Sequence, residues 1–247
     1  MKVLGIIPAR YGSTRFPGKP LAMIGDRTMI HRTYDQVMKS SLDAVVVATD
    51  DRRIHDEVRG FGGHAVMTSP DHHSGTDRCR EALAAFGGDY DAVVNIQGDE
   101  PFIDPRQIDR VADLVRTEGV DLATLARKID DVETLFNPNV VKVVFDHHGD
   151  ALYFSRHPIP FVRGLDPSQW LQKASFYQHI GLYAYTTPTL KTIASLPMGG
   201  LERAESLEQL RWLEHGLRIR VAVSDIEGSI AIDTPEDLDL IPKELLA

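Results

Sequence analysis

Val3-Leu4-Gly5-Ile6-Ile7-Pro8-Ala9-Arg10-Tyr11-Gly12-Ser13-Thr14-Arg15-Phe16-Pro17-Gly18-Lys19-Pro20 opens the chain and decides how the rest is read. The first five residues form a short apolar run, as expected of a strand buried on both faces. The stretch after it has the chemistry of a loop. Gly12 and Gly18 permit sharp turns and close backbone approach. Pro17 and Pro20 fix φ and stiffen the path. Arg10, Arg15 and Lys19 put three cations on it. Residues 1–20 carry four basic residues and no acid, although the whole chain of 247 residues has a formal net charge of −9. Such a loop suits a triphosphate, because backbone N–H groups cradle oxygens and the cations offset charge on the transferring and leaving groups. The same residues also read as a solvated basic loop. Their place directly after a strand favours phosphate. The G-x-x-x-x-G-K-[ST] pattern is absent, and Lys19 precedes Pro20.

Outward from this loop, apolar strands alternate with helical spacing. Thr28–Lys39 reads as a helix, Ala44–Thr49 as a strand, and Asp50-Asp51 as the start of another helix. His64–Met67, Ser74–Phe86, Ala92–Ile96 and Pro105–Arg116 continue as strand, helix, strand and helix. That order implies βαβ units, so the expected fold is α/β, a three-layer, mostly parallel sheet. Ligands collect beyond the carboxyl ends of such strands, which points to the loops 8–20, 49–51 and 97–101. The pattern changes near Ala126. Val140–Phe145 and Ala151–Phe154 flank an Asp/Gly turn and read as a hairpin. Ile180–Tyr185 reads as a strand, Leu201–His215 as one or two helices, Arg218–Val223 as a strand, and Pro235–Leu246 as a helix capped by Asp233 or Thr234. The expected organisation is one domain over 1–247 with an inserted β-rich lobe at roughly 127–190.

Composition narrows the function classes. Hydrophobic residues make up 43% and charged residues 26%, which excludes a disordered or fibrous chain. No apolar run approaches the roughly 20 residues of a membrane span, and Lys2-Val3 to Ile7 is too short for a secretory h-region. Cys79 is the single cysteine, so an intrachain disulfide and a Cys-based zinc cage are excluded and a reducing cytoplasm is expected. The acidic balance argues against duplex nucleic acid as a partner.

Four further segments carry candidate chemistry. Gln97-Gly98-Asp99-Glu100-Pro101 ends a strand, turns, and presents Asp99, either as a Mg²⁺ ligand or as a helix cap. Asp233-Thr234-Pro235-Glu236-Asp237 is a well-made helix start, and Asp233 does more if it faces Asp99. Ser74-Gly75-Thr76-Asp77-Arg78 caps a helix or reads a base. His179, Tyr183, Glu208 and Gln209 form a polar set, with a satisfied buried histidine as the simpler reading of His179. The pairs His72-His73 and His147-His148 lack ligand spacing and read as surface turns.

Taken together, these motifs resemble one family. The stretch 8–20, Ala48-Thr49-Asp50, Ser74–Arg78, Asn95–Pro101, Phe136-Asn137-Pro138-Asn139, Ala151–Arg156, Ser206–Arg211 and Asp233–Leu238 resemble the motifs of 3-deoxy-manno-octulosonate (Kdo) cytidylyltransferases, in order and over nearly the whole chain. The resemblance implies a nucleotide-diphospho-sugar transferase-like fold whose inserted lobe forms a homodimer. It implies Mg²⁺-dependent transfer of CMP from CTP to Kdo, with pyrophosphate released, for lipopolysaccharide synthesis. Arg10, Ser13, Arg15 and Lys19 would hold the triphosphate. Ala9, Ser74, Gly75 and Arg78 would read the cytosine. Asp99 and Asp233 would bind Mg²⁺, and Gln97, Arg156, His179, Tyr183, Glu208 and Gln209 would line the sugar pocket. Gln178 and the segment 228–232 differ from some members, and the choice between Kdo and an 8-amino analogue stays open. Transfer of another nucleotide, or nucleotide binding without catalysis, are the competing readings.

Overall fold

The computed structural model describes residues 1–12, 16–72, 74–226, 232 and 234–245. Strand β1 (Val3–Ala9) is its axis. Period-2 alternation sends Val3 and Ile7 into one hydrophobic cluster and Leu4 and Ile6 into another, on the opposite face. A short hairpin, β2 (Met23–Ile24) and β3 (Arg27–Thr28), leads into α1 (Met29–Val37), whose start is capped by Thr28. Then follow β4 (Ala44–Thr49), α2 (Arg52–Gly60), β5 (Ala65–Met67), α3 (Gly75–Phe86), β6 (Ala92–Asn95) and α4 (Pro105–Arg116). Asp51, Ser74 and Asp104 cap the three helices through side-chain oxygens. The second half contains β7 (Leu122–Lys128), α5 (Val132–Phe136), β8 (Lys142–Phe145), β9 (Ala151–Ser155), α6 (Trp170–Lys173) and β10 (Tyr177–Thr186). It closes with α7 (Thr187–Ile193), α8 (Gly200–Glu205), α9 (Gln209–Glu214) and β11 (Arg220–Val223).

The main sheet runs β11-β7-β10-β6-β1-β4-β5. β1 lies parallel to β4 and β6, β5 parallel to β4, and β11 parallel to β7. Helices cover both faces. Residues of α1, α2 and α4 pack with Val3 and Ile7, while residues of α3, α7 and α9 pack with Leu4 and Ile6. This is the expected three-layer, mostly parallel α/β fold.

Three features depart from expectation. β10 runs antiparallel between β6 and β7, with Tyr183 opposite both Asn95 and Thr124. The last strand of the stretch 127–190 thus lies in the middle of the sheet. What distinguishes the region is the β8–β9 hairpin, which lies off the main path, and a small core of Ile129, Leu135, Trp170 and Phe176. β7 was not foreseen. Its first five residues, Leu-Ala-Thr-Leu-Ala, are all buried, and burial on both faces removes the alternation that would have marked it. The chain end forms two 3₁₀ turns, Pro235–Leu240 and Lys243–Leu245, in place of one helix over Pro235–Leu246. Pro242 is the cause: it offers no N–H and holds Ile241 extended. Thr234 and Asp237 still make a reciprocal capping box, and Ile232 and Ile241 pack on Ile24 and Met29.

Candidate active site

The carboxyl ends of β1, β4 and β6 meet at one edge of the sheet, and the antiparallel β10 brings its amino-terminal half to the same edge. Sequence position alone accounts for this. β1 leads into Arg10, β4 into Asp50, β6 into Gln97, and His179 lies four residues before the Tyr183–Asn95 pairing. Two backbone devices shape the β1 loop. Gly18 N–H donates to Tyr11 O over 2.9 Å, closing the turn, and Gly18 sits at φ 73°, in the left-handed region. The Arg53 guanidinium lies 3.4 Å above the Tyr11 ring and packs the loop against α2.

Lys19 and Asp99 meet where the β1 and β6 loops come together. Lys19 is 8% exposed, and its Nζ donates to Asp99 Oδ2 over 2.7 Å, across 80 residues of sequence. The approach depends on Gly98, where a Cβ would lie 2.8 Å from Pro8 O. Ile232 N–H donates to Asp99 O over 3.2 Å, so the chain near the 3₁₀ end returns to the same loop. Arg10 stands exposed at the end of β1, and Ala9 is buried beside Thr49. Ser13, Arg15 and Asp233 lie outside the described residues.

Ser74 and Gly75 start α3 at the same edge; Gly75 lies against Pro8 and Asn95. Arg78 belongs to the wall behind them. It is 1% exposed, with Nη1 donating to Thr68 Oγ1 over 2.5 Å and Nη2 to Asp50 Oδ2 over 2.9 Å. Its guanidinium thus ties the β4 loop to α3.

On the other side, Gln97 Nε2 donates to Gly181 O over 3.2 Å. His179 Nε2 lies 2.9 Å from Thr124 Oγ1. The Thr124 hydroxyl has one proton and two carbonyls in reach, Leu182 O at 2.8 Å and Ile180 O at 3.1 Å. Thr124 therefore donates to a carbonyl and accepts from His179 Nε2–H, which leaves Nδ1 as a lone-pair acceptor. Burial pushes the His179 pKa down to about 3, so the ring is neutral at pH 7. The His179 ring packs 5.2 Å from that of Tyr183, which packs edge-on against Trp212 of α9. Burial also raises the Tyr183 phenol well above its ordinary value, and its Oη has no partner among the described residues.

Glu208 stands immediately before α9. Its Oε2 accepts from Thr76 Oγ1 over 3.0 Å, and its Oε1 is buried without a partner among the described residues. Desolvation raises its pKa, against hydrogen bonds from Ser74 and Thr76 that lower it. Gln209 is 6% exposed in the first turn of α9. Arg156 is a brace between backbone segments. Its guanidinium donates to Glu205 O, Pro138 O and Ser206 O, and its N–H to Glu205 Oε2. Those bonds hold the α8–α9 junction, where Ser206 adopts φ 53°.

Among the described residues no group of three His, Cys, Asp or Glu forms a metal cage. Asp99 nonetheless fits Mg²⁺, which keeps waters and needs only one or two carboxylates beside phosphate oxygens. Its side chain is 36% exposed, and Lys19 engages its Oδ2.

A family model described as cytidylyltransferase matches residues 4–219. A curated relative from Parabacteroides distasonis, named 3-deoxy-manno-octulosonate cytidylyltransferase, is 55% identical over 97% of this chain and 96% of its own. One of the same name from Bacteroides thetaiotaomicron is 56% identical, covering 96% of each. The chain belongs to the 3-deoxy-manno-octulosonate cytidylyltransferase family. A solved CMP:2-keto-3-deoxy-manno-octonic acid synthetase, complexed with CTP, superposes with a TM-score of 0.89 at 40% identity, over 97% of this chain and 96% of the other. As a member of this family the chain is an enzyme of the nucleotidyltransferase class. Asp50, in the loop 49–51 that the strand ends point to, pairs with Arg78, whereas Thr124 and Tyr185, which partner His179 and Asn95, carry no signal in the sequence.

Proposed function

We propose that this chain transfers CMP from CTP to the anomeric hydroxyl of Kdo and releases pyrophosphate, with Mg²⁺ as cofactor. The observation that carries this reading is the Lys19–Asp99 pair of 2.7 Å at the meeting of β1 and β6. A cation for phosphate and a carboxylate for a divalent ion stand side by side there, in a chain 55% identical to a named Kdo cytidylyltransferase. The nucleophile is a sugar hydroxyl, so the protein's work is alignment and charge stabilisation.

Arg10, Ser13, Arg15 and Lys19 bind the triphosphate and neutralise charge that grows on the leaving pyrophosphate. Ala9, Ser74 and Gly75 bound the base, with Arg78 holding the wall behind them. Asp99 and Asp233 would hold Mg²⁺, which when bound supplies a Lewis acid for the α-phosphate and lowers the pKa of the attacking hydroxyl. Gln97, His179, Tyr183, Glu208 and Gln209 receive the sugar hydroxyls, and Arg156 fixes the junction that carries Glu208. The neutral His179 and the unpartnered Tyr183 and Glu208 oxygens favour a polyhydroxyl acceptor, since each buried orphan regains a hydrogen bond on binding.

We place the enzyme in the cytoplasm, upstream of lipopolysaccharide assembly, as a homodimer. No described helix is long and apolar enough to cross a membrane. Leu152 on the outer strand β9 and Phe161 beyond it are 63% and 72% exposed, which suits an interface on the 127–190 region. Sedimentation tests the dimer, and a monomer at micromolar concentration removes it. For the reaction, pyrophosphate release is measured with Mg²⁺ while CTP, UTP, ATP and GTP are crossed with Kdo, its 8-amino analogue and sialic acid. Release with CTP and Kdo alone is expected. Release with another base or sugar reassigns the substrate, and no release in any well overturns catalysis.

A further inference from the structure

Two buried hydrogen bonds, Asn95 to Tyr185 and Thr76 to Glu208, lie behind the polar set of β10 and α9. Asn95 Nδ2, on β6, donates to Tyr185 Oη, on β10, over 3.2 Å. The Tyr185 hydroxyl lies close to Thr76, in the first turn of α3. Thr76 Oγ1 donates to Glu208 Oε2 over 3.0 Å. A hydroxyl has one proton, so the polarity is fixed by counting. Thr76 gives its proton to Glu208, and Asn95 supplies Tyr185. Thr76 is 1% exposed and Asn95 is 4% exposed, so water does not compete for these groups. The Thr76 bond ends on a carboxyl group with one oxygen held and the other, Oε1, buried and unpartnered. Near it lies a second unpartnered buried oxygen, Tyr183 Oη.

We propose that Thr76 is a positioning residue for the acceptor side of the site: its hydroxyl fixes Oε2 of Glu208 and leaves Oε1 as the oxygen that accepts from the acceptor sugar. This rests on the functional reading above and extends it to a residue that would act through Glu208. Thr76 lies two residues after Ser74, on the helix start that bounds the nucleotide. One rigid turn of helix therefore holds the base-side wall and orients the sugar-side carboxylate. A merely structural Thr76 would affect both substrates alike. A positioning Thr76 affects the sugar alone.

The test compares wild type with Thr76→Val, which removes the hydroxyl at nearly constant shape, and Thr76→Ser, which keeps it. KM for Kdo should rise about tenfold in Thr76→Val, the worth of a hydrogen bond to a charged group. CTP affinity, read by titration calorimetry without sugar, should stay within about twofold, and Thr76→Ser should restore the Kdo KM to within about threefold. An unchanged Kdo KM in Thr76→Val overturns the proposal. So does a parallel loss for CTP and Kdo together with a lowered melting temperature. If Thr76→Val does not fold, Tyr185→Phe decides, with a Kdo KM raised about threefold at unchanged CTP affinity as the supporting result. Unchanged Kdo KM in that variant overturns the proposal. A wild type that does not turn over CTP and Kdo removes the functional reading and the proposal together, whereas an active wild type with an unaffected variant removes only the proposal.

Discussion

Lys19 and Asp99 are separated by 80 residues and joined by 2.7 Å, and each tests a different charge. Asp99→Asn keeps the shape and removes the anion, so turnover should be lost while the melting temperature holds. Near-normal activity would exclude Asp99 as a metal ligand. Lys19→Ala should cost kcat/KM about 100-fold, as expected when a cation that stabilises transition-state charge is lost; a loss below threefold would make Lys19 a packing residue. Arg78 predicts a different loss. Truncating a buried partner leaves Asp50 uncompensated, and Arg78→Met should lower the unfolding free energy by about 3 kcal/mol in urea titration. His179 sets a pH dependence. Its folded pKa is about 3 and the unfolded imidazole lies near 6.5, so the unfolded chain binds the extra proton between those values. Stability contributed by the neutral ring is fully present above pH 6.5 and declines as pH falls towards 3. The pH slope of stability in that window should be shallower in His179→Gln.

Elements whose signals are local were legible: α1, β4, α3 and α4 begin where caps and apolar spacing place them, and Asp104, Ser74 and Thr28 confirm the mechanism. The loop 8–20 and Asp99 were legible for the same reason, since charge and glycine follow directly on strands. β7 and the direction of β10 were not. A strand buried on both faces has no alternation, and nothing local in Tyr177–Thr186 specifies that it enters between β6 and β7 in the opposite direction. Arg156 is expected in the sugar pocket on the resemblance alone, and local sequence gives no sign of the bonds its Nε, Nη1 and Nη2 make to the carbonyls of Glu205, Pro138 and Ser206. At this scale Gly98 is the sensitive joint between β1 and β6. Gly98→Ala would press a methyl to 2.8 Å from Pro8 O and push Asp99 away from Lys19. A misplacement of that order should cost about 100-fold in kcat/KM, measured alongside circular dichroism to show an intact fold.

Across the whole molecule, β10 joins the two halves of the sheet, with β6, β1, β4 and β5 on one side and β7 and β11 on the other. His179, Tyr183, Glu208 and Gln209 therefore reach the edge where β1, β4 and β6 end only when the late part of the chain closes the sheet. A fragment ending at residue 176 should lose cooperative thermal unfolding, because β7 would lack its β10 partner. On the side of α3 that packs against the sheet lies Cys79, the single cysteine, at 0% exposure, with its thiol pushed far up by desolvation. Both reaction with maleimides and oxidation require a thiolate within reach of solvent, and this sulfur meets neither condition. The protein is thus chemically silent towards thiol reagents. One cysteine placed on its surface would be the sole labelling point, and fluorophores could be attached to loops of this enzyme without first removing a native residue.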